Sequence, residues 1–233
     1  MNERIYLSPS NQVSNKYAYG NVSEAEVCCK IADATEAALR RNYFEVINNQ
    51  TSAVTARCSE SDKWKADLYV PIHTNAYNGE VSGTRMFCYN TKGEGYKACQ
   101  AIFAHLAPLT PGTSENIQAK NTLLEVRLPS APTAYVEVDF HDVAEVAKWL
   151  IENTEAIGEA IAHGICDYFG VAFIPPVVEK KSLVLGEYET LREADDALSD
   201  LLNDAAKAEQ MLKELNETLN RVRGVLDGIR VEG

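Results

Sequence analysis

A short apolar run, Leu68-Tyr69-Val70-Pro71-Ile72, follows the polar stretch 59–67 and ends on His73-Thr74-Asn75-Ala76, just before a loop at Asn78-Gly79. This order constrains the fold more than any other feature of the chain. It reads as a buried strand that delivers an imidazole and an amide to its carboxyl end. In open α/β sheets, that edge is where ligands bind. A histidine placed there suits metal binding or proton transfer. It can equally cap the strand and bond a backbone carbonyl, so the other segments have to decide.

Those segments alternate in type. Ile5-Tyr6-Leu7 reads as a first strand, broken by Ser8-Pro9-Ser10-Asn11-Gln12. Ser23, followed by Glu24 and Glu26, predicts a capped helix start. Val27, Ile31, Ala34, Ala38 and Leu39 then fall on one side of that helix. Strands are predicted at 43–47, 83–89, 121–128 and 134–140, and helices at 59–65, 97–106, 142–150 and 155–169. Alternation of this kind predicts an α/β domain: a mostly parallel twisted sheet with helices on both faces. Pro175-Pro176 cannot continue a helix, which places the domain at 1–175.

The segment 176–233 is expected to be a helical tail. From Leu191 to Ile229 its apolar residues recur at alternating spacings of three and four, a heptad pattern. Such a seam must be buried, either within its own chain or as a coiled coil. The unbroken register predicts a coiled coil and a homo-oligomer.

Charge narrows the partners. Acidic residues number 34 against 22 basic ones, for a net charge of −12. That is the opposite of a nucleic-acid footprint, and it also excludes polybasic attachment to a membrane. No apolar run reaches membrane-spanning length. The first residues lack the basic and apolar regions of a signal peptide, so synthesis and retention in the cytoplasm, until another route releases the protein, are expected. The six cysteines contain no C-x-x-C pair and are expected to be reduced, small buried residues.

A second constellation lies in Tyr135-Val136-Glu137-Val138-Asp139-Phe140-His141. Strand alternation puts Glu137, Asp139 and His141 on one face. A carboxylate inside so apolar a strand needs a partner. A metal, a metal-held water, or an ion pair with Arg57 or Arg127 would each supply one. His105 and His163 fall on helices and are expected to have no functional role.

Taken together, these blocks resemble the zinc-dependent N-acetylmuramoyl-L-alanine amidases, the α/β peptidoglycan hydrolases of bacteria and phage endolysins. The resemblance runs in order over about residues 4 to 170. Val70-Pro71-Ile72-His73-Thr74-Asn75-Ala76 is similar to the family's Ser-Ile-His-x-Asn-Ala block, which implies that His73 is a zinc ligand. Glu24 opens the first helix as the family's metal-binding glutamate does. Val136-Glu137-Val138-Asp139-Phe140 is similar to the family's Val-Glu-x-Gly-Phe block, which implies that Glu137 is the catalytic residue.

One block departs from the pattern. Where the family has Asp-Pro-Gly-His-Gly-Gly, with a zinc-binding histidine, this chain has Ser8-Pro9-Ser10-Asn11-Gln12. Asn11 takes the histidine's place, and an amide oxygen is a poor zinc ligand beside imidazole. Either the metal is lost or another residue completes the site, and His141 is the expected replacement. Arg57, Asn75 and Arg127, with Asn11, are the expected substrate contacts. The resemblance implies hydrolysis of the amide between N-acetylmuramic acid and L-alanine, in the setting of an endolysin. The rival expectation is a metal-free, degenerate amidase fold that binds peptidoglycan or a partner protein.

Overall fold

A computed structural model of the protein describes residues 2–176, together with helical positions at 199, 200, 202–205, 207, 210 and 213. The chain divides into two compact units, Met1–Pro176 and Val177–Gly233. Most of the heptad seam expected from Leu191 to Ile229 lies outside the described residues. No described helix is long and apolar enough to cross a membrane.

The first unit is a six-stranded sheet in the order β2-β1-β3-β6-β4-β5. Its strands are β1 (Arg4–Pro9), β2 (Glu45–Asn48), β3 (Leu68–Asn75), β4 (Arg85–Cys88), β5 (Asn116–Ala119) and β6 (Tyr135–Phe140). Every pairing is parallel except β4 with β6. The helices are α1 (Glu24–Arg41), α2 (Val54–Trp64), α3 (Glu94–Leu106), α4 (Leu124–Arg127), α5 (Ala144–Glu152) and α6 (Thr154–Phe169).

Alternation along the strands sorts the core into two faces. Ile5, Leu7, Val70, Ile72, Val136 and Val138 pack with residues of α1, α3, α5 and α6. Tyr6 and Tyr69 point the other way and pack with Cys58 of α2. This second face is covered more thinly, by short helices, and the candidate site opens there.

Two local departures from expectation matter for the site. The expected strand at 121–128 does not form. Its place is taken by β5, shifted earlier to 116–119, and by the single-turn α4. In β6, alternation breaks as well. His73 pairs with Glu137, but Asn75 pairs with Phe140, so between these pairs the one residue Thr74 of β3 faces two of β6, Val138 and Asp139. That bulge re-aims every side chain beyond it. Asp139 sits in the irregularity, and its Oδ1 accepts hydrogen bonds from the backbone N–H groups of Gly83 (2.6 Å) and Phe140 (2.7 Å). Gly83, with φ +134°, lets this loop close, since a Cβ there would lie 2.7 Å from the Ser114 nitrogen.

Candidate active site

Glu24 is placed by its helix start. The Ser23 hydroxyl accepts from the Glu26 backbone N–H, and the Glu26 carboxylate accepts from the Ser23 N–H at 2.7 Å, a complete capping box. The box fixes the first turn of α1 and aims the buried Glu24 across the sheet edge. There Glu24 Oε1 lies 2.9 Å from His73 Nδ1. The second oxygen accepts from Asn15 at 2.8 Å.

His73 is held from both sides. Its Nε2 lies 3.2 Å from Glu125 Oε2, and Tyr135 stacks on the ring at 4.8 Å. Burial pushes the imidazole pKa down, but the hydrogen bonds to Glu125 and Glu24 outweigh it and raise the pKa to about 9. Burial pushes the two carboxylates up. The hydrogen bond to His73 and its charge, with further hydrogen bonds from Asn15 and Ser10 to Glu24 and from Ser8 to Glu125 and the charge of Arg57 beside Glu125, together more than offset this, leaving both below the ordinary carboxylate value.

Glu125, which sequence reasoning passed over, is one of the most heavily tied groups in the site. Its Oε1 accepts from the Ser8 and Tyr69 hydroxyls and lies 3.8 Å from Arg57 Nη2. The sequence places Glu125 in an expected strand at 121–128, and a four-residue helix leaves too little periodicity to detect. The only available signal was a glutamate between Leu124 and Val126. Arg57, expected to touch substrate, is instead fully buried. It donates to the Pro9 carbonyl at 2.6 Å and braces Glu125 from behind.

Gln12 was also missed. Its amide lies 3.4 Å from Glu24 Oε1 and 3.5 Å from His73 Nδ1. Asn11, the residue aligned with the missing histidine, turns outward and donates to the Ser52 carbonyl at 3.4 Å. One position further along the loop, the longer side chain is the one that reaches the cluster.

Glu137 pairs in register with His73. It is half-buried as a residue, yet its Oε2 is shut off from solvent and has no hydrogen-bond partner. Burial raises its pKa, and nearby His73 only partly offsets this, leaving it at about 7. A shielded carboxylate poised near neutrality suits a general base.

His141 does not share this face. The bulge turns it toward Thr74, whose hydroxyl lies 2.9 Å from His141 Nδ1. Tyr17 stacks on the ring at 4.9 Å, and its own hydroxyl lies 2.9 Å from that of Thr74. Burial holds the His141 pKa down, which favours a neutral ring. The expectation that Glu137, Asp139 and His141 line one face is therefore corrected: alternation fails at the bulge.

Among the described residues, no side-chain hydrogen bond ties Asn75 or Arg127 to this cluster. Asn75 lines a depression with Tyr77, Arg85 and Phe140. Arg127 is exposed and lines another, with Tyr89, Pro129 and Thr133. His105 and His163, expected to be idle, come together with Asp167. His105 Nε2 lies 2.6 Å from Asp167 Oδ2, the two rings stack at 3.8 Å, and one ligand atom from each residue fits within 4.8 Å of the others. All six cysteines are free.

The whole arrangement sits at the carboxyl edge of a parallel sheet. It offers a carboxylate, an imidazole and an amide around one point, with an unpartnered carboxylate beside it. Comparison with solved structures gives the same fold. The catalytic domain of CwlV, an N-acetylmuramoyl-L-alanine amidase from Bacillus (Paenibacillus) polymyxa var. colistinus, matches with a TM-score of 0.64 and 19% identity over 73% of this chain and 99% of that one. The amidase AmiC2 of Nostoc punctiforme matches at 0.62, with 18% identity over 72% of this chain and 97% of that one. The catalytic domain of the CD27L endolysin, which targets Clostridia difficile, matches at 0.58, with 18% identity over 71% of this chain and 97% of that one. No curated protein matches the chain. The family model for N-acetylmuramoyl-L-alanine amidase matches residues 7–167, which take in Glu24, His73, Glu125 and Glu137, and by this match over most of its length the chain belongs to the N-acetylmuramoyl-L-alanine amidase family.

Proposed function

We propose that the protein hydrolyses the amide between the lactyl group of N-acetylmuramic acid and L-alanine in peptidoglycan, using zinc held by Glu24, His73 and Gln12, with Glu137 as general base. The observation that carries this reading is the triangle of Glu24 Oε1, His73 Nδ1 and the Gln12 amide. Its edges are 2.9, 3.4 and 3.5 Å. Four-coordinate zinc with bonds of about 2.0–2.2 Å has ligand–ligand edges of about 3.4 Å; the two edges to the Gln12 amide match this, and the Glu24–His73 edge would open by about 0.5 Å around the ion. A half-turn of the Gln12 amide presents its oxygen to that corner. The carboxylate on His73 Nε2 supports the same reading. A ligating histidine generally has its other ring nitrogen held by such a group, and Glu125 holds it here.

The residues divide the work. Bound zinc supplies a Lewis acid for the scissile carbonyl and makes a nearby water more acidic. Glu137 takes the proton of the attacking water and passes it to the nitrogen of L-alanine as the carbon–nitrogen bond breaks. Glu125, braced by Arg57, fixes the ring of His73. His73, whose pKa is raised to about 9, would give up its extra proton on ligating a cation.

Residues 1–175 act as the catalytic domain in this account. The heptads beyond join two such domains, which raises avidity for a repetitive wall. Release at lysis, as by an endolysin, is the setting that completes this proposal. Glu137→Gln is the direct test. It should leave zinc content unchanged and lower release of free N-terminal alanine from purified cell wall by at least about a hundredfold. An unchanged rate would remove Glu137 from the mechanism.

A further inference from the structure

Beside the candidate base, the antiparallel strand β4 carries a cation with no ionic partner among the described residues. Arg85 pairs in register with Glu137, and Phe87 with Tyr135 two positions along. Opposed residues on antiparallel strands share a face, with Cβ atoms about 5 Å apart. Arg85 therefore stands on the His73–Glu137 side of the sheet. Among the described residues its guanidinium forms no ion pair. It donates from Nη2 to Ser114 Oγ at 2.6 Å and lies 5.9 Å over the Phe140 ring. Its Nε is buried and has no hydrogen-bond partner.

The same depression holds a second orphan. Arg85, Ser114, Asn116 and Tyr77 line a hollow of about 300 Å³ that reaches Asn75 at the end of β3. Asn116 Oδ1 is also buried without a partner. Buried polar atoms are nearly always satisfied. Here two of them, a donor and an acceptor, line one open hollow next to the candidate base. In a chain of net charge −12, an arginine left without a carboxylate is poised to receive one from outside.

We propose that Arg85 binds the free α-carboxylate of the second stem-peptide residue and that Asn116 accepts a hydrogen bond from that residue's amide. This subsite rests on the amidase reading and gives it a substrate preference. In peptidoglycan the residue after L-alanine is a glutamate joined through its side chain, so its α-carboxyl remains either free or amidated. That group lies about two residue lengths from the scissile bond, roughly 7 Å at about 3.8 Å per residue. Arg85, paired in register with Glu137 on the neighbouring strand, stands on that side of the candidate base. A planar guanidinium reads a carboxylate through paired N–H groups, whereas an amide offers it one neutral oxygen.

The test compares two soluble muropeptides that differ only in whether this α-carboxyl is free or amidated. With the full-length protein, KM for the acid should be at least tenfold lower than for the amide, at similar kcat. Arg85→Met should bring the two KM values together, and Arg85→Lys should keep part of the preference. Binding to Glu137→Gln, measured by calorimetry, should show the same preference without turnover. Equal KM values in the wild type, or a preference that survives Arg85→Met, would overturn the subsite. Hydrolysis of both peptides alike would remove the subsite and keep the activity. Binding that depends on Arg85 without hydrolysis would keep the subsite and remove the activity.

Discussion

Two histidines lie at the carboxyl edge of the same sheet, on neighbouring strands, and their surroundings are opposite. His73 sits between two carboxylates and is held protonated. His141 is paired with a hydroxyl and stacked on a tyrosine, and burial keeps it neutral. The cause is one extra residue in β6 between Glu137 and Phe140. Without that bulge, alternation would place His141 beside Glu137. With it, the charged chemistry gathers on the thinly covered face, and the opposite face keeps a neutral network of Tyr17, Thr74 and His141. A bulge next to a site is a common device for re-aiming side chains.

The largest expected effect breaks the charged side. Glu125→Ala removes the partner of buried Arg57 and of His73 Nε2 at once. Stripping one member from a buried ionic group costs on the order of 3–5 kcal/mol. Urea unfolding should show that loss. Glu125→Gln, which keeps the shape, should fold and lower zinc affinity by about 10–100-fold, as losses behind a metal ligand do. A Glu125→Ala variant as stable as the wild type would mean that the brace contributes nothing.

A smaller effect separates Glu137 from its neighbours through pH. In the metal-free protein its carboxyl pKa is raised by burial to about 7. A raised folded-state value means that its stabilising contribution is complete below the ordinary carboxylate range and is lost as pH rises through about 7. The loss amounts to at most roughly 3 kcal/mol. Urea unfolding of the metal-free wild type at pH 5 and pH 8 should show this decline against Glu137→Gln, which lacks the titration. The decline that follows His73, raised to about 9, extends to higher pH and should persist in both proteins. Parallel pH profiles for the two proteins would show that Glu137 is not shielded.

These contrasts also explain what could be read from the sequence. The β3 run ending on His73 and the Ser23-x-x-Glu26 box that aims Glu24 are local signals, and the structure places both where the sequence indicates. So is the apolar setting of Glu137. The bulge was not legible, because Asp139 carries no glycine-like mark and alternation looks intact through His141. Glu125 was hidden because α4 is a single turn, too short to show a helical period. The bracing role of Arg57 is hidden in the sequence, since it depends on the Pro9 carbonyl and Glu125, 48 and 68 residues away. The antiparallel direction of β4, which sets Arg85 beside Glu137, is a property of topology that no local pattern records.

The metal assignment places the ion on the His73 side, with Gln12 completing its site. Zinc content of purified variants tests this most directly, measured on a His163→Ala background so that the His105–His163–Asp167 cluster contributes nothing. The parent should hold about one zinc per chain, His73→Ala and Gln12→Ala should nearly lose it, and Gln12→His should retain it more tightly, because imidazole outbinds an amide. His141→Ala and Asn11→Ala should keep their zinc. Loss of zinc in His141→Ala with retention in Gln12→Ala would contradict the account.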